Sequence, residues 1–354
     1  MGEKAQDVLT TVVGSWPVPD WLERAKTGVH QGTVSRSQLA EMHDMAIKAA
    51  LKDQEVAGID VVSDGELRRE NDVDYTLARV PGVTVLDPVK VFYFDYLDLV
   101  VTEKLPDPEG PGPLGLAEDL KFALAYTDRR VKFSLTGPFS LSRRLRNEAY
   151  PEPADLVRAL ARLLNAEARA LADAGAELLQ IDEPFLAGYP EQVGLAMEAI
   201  NIVTKDVPVT WALHICYGNR YARPLWEGHY DFLFPAVLDA SIDQLMLEFA
   251  RKGDDDLALI RRYWDRVLGV GVLDVKTERV EEVELVEQRI RRALEAVPPQ
   301  RLLVSPDCGL RHVPGPIARA KLHAMVTARD NLLRTASDAP ARRCVHEPDE
   351  GGQP

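Results

Sequence analysis

Residues Val209–Cys216 read Val-Thr-Trp-Ala-Leu-His-Ile-Cys, an apolar, β-branched run that closes on His214 and Cys216. A strand apolar along its whole length is buried on both faces, as in a parallel sheet. Seven further runs share this character: Val8–Val13, Ile59–Ser63, Val131–Thr136, Glu177–Ile181, Gln244–Glu248, Val267–Leu273 and Arg301–Ser305. Amphipathic stretches separate most of them. Ser35-x-x-Gln38 has the form of a capping box and opens a helix that runs to Gly58. Asp155–Asp173 shows apolar spacings of three and four before Gly175, Arg279–Ala296 stops at Pro298-Pro299, and Pro316–Leu333 closes the set. Eight strands with intervening helices predict a single (β/α)8 TIM barrel over residues 1–338.

Two segments break the rhythm. Between Pro81 and Gly115 the run Gly82–Val101 alternates like a hairpin, and Pro106-Asp-Pro-Glu-Gly-Pro-Gly-Pro reads as loop. This is an insertion after the second strand, equally readable as a lid, an oligomer contact or a plain surface hairpin. Residues 339–354, rich in Pro, Gly and charge without periodicity, are expected to be a disordered tail that contains Cys344.

Composition narrows the function. The 354 residues carry 42 basic and 56 acidic side chains, a formal charge of −14, which disfavours nucleic acid and anionic membranes as partners. No run of 18 apolar residues is present, so no membrane-spanning helix is expected. Met1–Gln6 lacks an apolar signal core, and Gln6 stands where a myristoylation motif has Ser or Thr. The chain has only three cysteines, Cys216, Cys308 and Cys344, too few for a disulfide scaffold, so the expected location is a reducing cytoplasm.

The chemistry lies where polar residues follow the strands, because barrel active sites sit at the C-terminal strand ends. His214 and Cys216, at i and i+2, share one face of a strand. Glu248 follows the sixth run, and Ser305-Pro-Asp-Cys308-Gly309 follows the last. One imidazole, one carboxylate and two thiolates suit tetrahedral zinc. Three anionic donors make a poor Lewis acid for hydroxide chemistry but a good holder of an incoming thiolate. Each residue also has a plainer reading: His214 and Cys216 in the core, Cys308 structural, Glu248 paired with Arg251. Two of three cysteines at strand ends favour the metal. Elsewhere, Glu66 and Asp182 are placed to grip a substrate ammonium, and backbone N–H groups near Ser15 a carboxylate. Helix capping, or an ion pair with Arg68 or Arg69, is the alternative for Glu66 and Asp182.

These residues resemble the catalytic barrel of cobalamin-independent methionine synthase and its short relatives. The matching segments are Thr10-Thr-Val-Val-Gly-Ser15, Ser63-Asp-Gly-Glu66-Leu-Arg-Arg69, Leu135-Thr-Gly-Pro138, Gln180-Ile-Asp-Glu-Pro184, His214-Ile-Cys-Tyr-Gly218, Gly271-Val-Leu-Asp274 and Ser305-Pro-Asp-Cys-Gly-Leu310. They run in the family's order. The resemblance implies zinc held by His214, Cys216, Glu248 and Cys308, with the homocysteine amine at Glu66 and Asp182 and its carboxylate near Ser15. It further implies that the homocysteine thiolate attacks an activated methyl group in an in-line displacement, giving methionine.

The chain departs from the long plant and bacterial enzymes of that family. It has one barrel, it reads Phe139-Ser-Leu-Ser-Arg-Arg144 where they carry a Trp for the pterin, and Val275-Lys276 where they carry a proton-relaying His. The expected donor is therefore open between folate and methylcobalamin carried by a corrinoid protein. Lys276 is read as an electrostatic catalytic residue near the donor, or as a surface lysine. The alternative function is a related thiol alkylation of the epoxyalkane:coenzyme M transferase type. Coenzyme M has no ammonium, so Glu66 and Asp182 favour homocysteine.

Overall fold

Strand pairing follows from the apolar runs. In a computed structural model describing residues 8–70, 72–86, 97–108, 110 and 112–337, each run contributes one parallel strand. These are β1 (Leu9–Thr10), β2 (Val61–Val62), β3 (Arg130–Thr136) and β4 (Leu178–Asp182), then β5 (Thr210–Ile215), β6 (Gln244–Leu247), β7 (Val267–Leu273) and β8 (Leu302–Pro306). The order round the sheet is β1-β8-β7-β6-β5-β4-β3-β2. A parallel bridge between Thr11 and Val61 brings β1 to β2 and closes the ring. The fold is a (β/α)8 barrel.

β1 and β2 are shorter than their apolar runs because side chains take over the ladder there. The amide and hydroxyl of Thr10 both donate to Asp60 Oδ2 at 2.8 Å, and Thr11 Oγ1 donates to the Val61 carbonyl at 3.0 Å. Elsewhere the register is regular apart from a shift between Gly271 and Leu273 where β7 pairs with β8. Lys132, Ser134 and Thr136 of β3 lie opposite Leu178, Gln180 and Asp182 of β4, and Asp182 lies opposite His214 of β5. Successive side chains alternate across a strand. This register therefore stacks Gln180, Asp182 and His214 toward the C-terminal mouth.

The interior has two apolar regions. Val61, Leu178, Ala212, Met246 and Leu303 fill the barrel floor, and a much larger cluster packs the outer strand faces against the helices. The Arg36–Ala57 helix starts with the predicted capping box at Ser35 and Gln38 and ends on Gly58 at φ 88°. Such a cap contributes about 1 kcal/mol. Pro153–Asp173 and Gly315–Ser337 cover the expected stretches. The helix expected from Arg279 begins only at Val283. Before it, buried Glu281 accepts from the Asp274 amide at 2.8 Å and Lys321 Nζ at 2.9 Å, which holds the chain extended. Between β5 and β6, short 3-10 turns at Tyr230–Leu233 and Ala236–Asp239 stand in place of a long helix.

After β2, Val83–Leu86 pairs antiparallel with Asp98–Val101, which also pairs parallel with Arg146–Asn147 beyond β3. Residues 87–96 of the expected insertion lie outside the described residues, as does the expected 339–354 tail with Cys344.

Candidate active site

The mouth of the barrel gathers donors from β5 and β8. The ligand atoms of His214, Cys216 and Cys308 all lie within 4.8 Å of one another. His214 and Cys216 are buried, and Cys308 is half-buried. His214 Nδ1 stands 3.2 Å from the Met246 carbonyl, an arrangement in which Nδ1–H donates and Nε2 keeps its lone pair. Nε2 is buried with no hydrogen-bond partner among the described residues. A buried nitrogen with a free lone pair, beside two sulfurs, fits a borderline-soft divalent ion such as zinc.

The cluster shifts its members in opposite senses. Burial works to lower the His214 pKa, but the adjacent Cys308 sulfur, Asp182 and Glu248 outweigh it and hold it above the ordinary value. Contact with Cys216, together with burial, pushes the Cys308 thiol well above the usual range. The neighbouring sulfurs and carboxylates thus favour a cation at this site, and a divalent ion would supply one.

Glu248 sits apart from the three. It is fully buried at the end of β6, where Oε1 accepts from the Tyr217 amide at 3.2 Å. Both of its carboxylate oxygens lie 3.0 Å from Lys276 Nζ. Arg251, the alternative partner for Glu248, pairs instead with Glu227 at 2.9 Å. Nor does Lys276 lie at the surface: its side chain is 4% exposed. Asp307, beside Cys308, fixes the loop after Glu248 by accepting the amides of Phe249, Ala250 and Arg251 at 2.9, 2.8 and 3.0 Å.

Glu66 and Asp182 share the pocket that holds the donors. One cavity of about 100 Å³ is lined by Ser15, Glu66, Asp182, His214, Cys216 and Cys308, together with Asn219 and Arg311. Glu66 is buried and adopts φ 55°, a strained left-handed conformation for a non-glycine residue. Its amide donates to Asp64 Oδ1 at 2.9 Å, which holds the turn. Arg69 Nη1 stands 3.7 Å from Glu66 Oε1, so the ion pair and the place in the pocket coexist. Arg68 pairs elsewhere, with Asp44 and Asp119. Gln180 Nε2 donates to Asp182 Oδ1 at 2.7 Å. The cap role belongs to neighbouring Glu183, whose carboxylate accepts the Phe139 and Ser140 amides at 3.1 and 2.8 Å. Close approach favours glycine at two positions beside the pocket, where a Cβ on Gly14 would run into Glu66 Oε1 and one on Gly309 into Ser15 Oγ, as would Cβ atoms on Gly137 and Gly271 against Glu183 and Asp307.

Sequence reasoning missed Arg311, Asn219, Asp307 and Glu183. Arg311 Nη1 donates to the Glu70 carbonyl at 2.7 Å, tying the β8 loop to the β2 loop, and Asn219 Nδ2 donates to the Gly309 carbonyl at 2.9 Å. Asp307 and Glu183 lie inside quoted strand-end motifs, beside residues that were singled out.

The sequence profile described as "Cobalamin-independent synthase, Catalytic domain" matches residues 8–331. The chain belongs to the cobalamin-independent methionine synthase family. A methionine synthase of Sulfurisphaera tokodaii is 35% identical over 320 residues, covering 90% of each chain. One from Saccharolobus solfataricus is 35% identical over 335 residues, covering 92% of this chain and 96% of the relative. Among solved structures, a B12-independent methionine synthase from Shewanella sp. W3-18-1, in complex with selenomethionine, superposes with a TM-score of 0.81. It is 25% identical, with 93% of this chain and 99% of that one covered. Membership in the cobalamin-independent methionine synthase family makes this chain a methyltransferase of methionine biosynthesis, with homocysteine and a methyl donor as its substrates. Among the described residues no helix is long and apolar enough to cross a membrane.

Proposed function

We propose that the chain is a zinc-dependent homocysteine S-methyltransferase in which His214, Cys216, Cys308 and Glu248 hold the ion. Glu66 and Asp182 grip the substrate ammonium, and backbone near Ser15 receives its carboxylate. The observation that carries this reading is one pocket in which His214, Cys216 and Cys308 face the same space as buried Glu66 and half-buried Asp182. When bound, zinc would lower the pKa of an incoming thiol so that it is a thiolate near neutral pH.

The protein's own residues supply position and charge. Glu66 and Asp182 fix the amino-acid end through charge-assisted hydrogen bonds. That places the sulfur at the donor cluster. Such positioning turns a bimolecular encounter into an oriented one. The new bond joins sulfur to the methyl carbon as the bond from that carbon to its donor breaks, and the thiol proton is lost to solvent. Lys276, held on Glu248, keeps a buried positive charge beside the cluster. Burial works against that charge, but Cys308 and Glu248 raise its pKa above the ordinary value.

An amino-acid thiol is favoured over coenzyme M because a sulfonate thiol has no ammonium for the Glu66 and Asp182 carboxylates to bind. The selenomethionine in the Shewanella structure is the selenium analogue of the expected product. For the donor, the segment Phe139-Ser-Leu-Ser-Arg-Arg144, which lacks the Trp that the long enzymes use for the pterin, favours methylcobalamin, carried by a corrinoid protein, over folate. Incubating the zinc-loaded chain with homocysteine and either methylcobalamin or methyl-folate, and separately with coenzyme M and an epoxide, tests the proposal. Methionine from the methylcobalamin mixture supports it. Thioether from the epoxide mixture alone overturns it.

A further inference from the structure

The turn that carries Glu66 is held from the metal side of the pocket. Gly65 and Glu66 stand at φ 70° and 55°, and a non-glycine residue keeps such a conformation only where its surroundings impose it. Within the turn, Ser63 Oγ accepts the Gly65 amide at 3.1 Å and Asp64 Oδ1 the Glu66 amide at 2.9 Å. The carbonyls of the turn are met by Arg311 of the β8 loop. Its Nη1 donates to the Glu70 carbonyl at 2.7 Å and to that of Arg69 at 3.4 Å, and its Nη2 to the carbonyl of Glu66 itself at 3.3 Å. A planar guanidinium offers its donors in a rigid fork, so three carbonyls of one turn are fixed by one side chain.

Arg311 lies three residues beyond Cys308, and both line the cavity that also holds Glu66 and His214. The backbone between them is itself anchored. The Leu310 amide donates to the Ser15 carbonyl at 2.8 Å, and Asn219, three residues beyond Cys216, donates from Nδ2 to the Gly309 carbonyl at 2.9 Å. From the Asp20–His30 helix, Lys26 Nζ adds a bond to the Arg69 carbonyl at 2.8 Å. A line of contacts thus runs from the Cys216 loop through Gly309 and Arg311 to the Glu66 turn. The two cysteines and the carboxylate stand on separate loops, and Arg311 joins them.

We infer that Arg311 is a positioning residue that fixes the spacing between the sulfur end and the amine end of the pocket, and so selects homocysteine over cysteine, which is shorter by one methylene. This rests on the reading that Glu66 holds the homocysteine amine and the donor cluster its sulfur. A pocket anchored at both ends rejects a ligand too short to reach them together, and one methylene is worth about tenfold or more in a shaped pocket. Without Arg311 the Glu66 turn is free to leave its left-handed conformation. The two ends then keep no single spacing, and selection by length is lost.

The test is calorimetric titration of the zinc-loaded full chain with homocysteine and with cysteine, zinc content being checked after each run. The wild type is expected to prefer homocysteine by at least about tenfold. Arg311→Met should remove most of that preference, by weakening homocysteine binding about tenfold and cysteine binding far less. A wild type without the preference, or an unchanged preference in Arg311→Met, overturns the inference. So does an equal loss of both ligands, the mark of a merely structural residue. Arg311→Gln enters the same titrations if the Met variant does not fold. Glu66→Gln separates the two levels. If it leaves homocysteine binding intact, the ammonium reading falls and this inference with it. If it weakens binding while Arg311→Met keeps the preference, only the role of Arg311 falls.

Discussion

Lys276 Nζ stands 3.0 Å from both carboxylate oxygens of Glu248, joining the ends of β7 and β6 beside the donor cluster. The pair is almost wholly buried, with side-chain exposures of 4% and 0%. Breaking a buried pair on one side leaves an uncompensated charge and costs about 3–5 kcal/mol. Lys276→Met should therefore destabilise the chelator-treated protein by that amount, read from urea midpoints. With zinc present the loss should shrink, because the ion takes over the carboxylate. Equal losses with and without zinc would show that Glu248 stays with Lys276 and is not a ligand.

The cysteines bear on metal content and not on folding. The barrel buries its apolar clusters independently of the mouth, so the site is not needed to hold it together. Cys216→Ser and Cys308→Ser should each lower zinc far below one ion per chain and abolish methyl transfer, while far-ultraviolet dichroism stays as in wild type. Full zinc content in either variant contradicts the ligand assignment.

Glu183 predicts a pH dependence of stability. Burial raises its pKa from 4.5 to about 7, against the amide hydrogen bonds that favour the charged form. A carboxyl whose folded pKa lies above its unfolded one binds its proton more tightly in the native state. Its contribution is thus fully present below pH 4.5 and declines as pH rises to about 7, by about 3 kcal/mol. Glu183→Gln removes that slope. Urea midpoints at pH 5, 6 and 8 should fall in wild type relative to the variant, and parallel profiles would refute the assignment.

The barrel was legible because parallel strands covered on both faces leave apolar runs, and all eight runs became strands. Strand ends named most of the site for the same reason: polar residues closing such runs must face the mouth. His214, Cys216, Cys308, Glu66, Asp182 and Ser15 meet in one pocket. What stayed hidden were pairings across strands. That Glu248 would meet Lys276, 28 residues on, and not Arg251 depends on the register of β6 against β7, which no local pattern encodes. The cap role of Glu183 needed the β3 and β4 ends side by side.

Zinc K-edge X-ray absorption on the zinc-loaded full chain tests the central claim most directly. One ion per chain with two sulfur neighbours, and nitrogen or oxygen completing the shell, is the result expected from Cys216, Cys308, His214 and Glu248. A shell without sulfur, or a chain that retains no zinc, would contradict it.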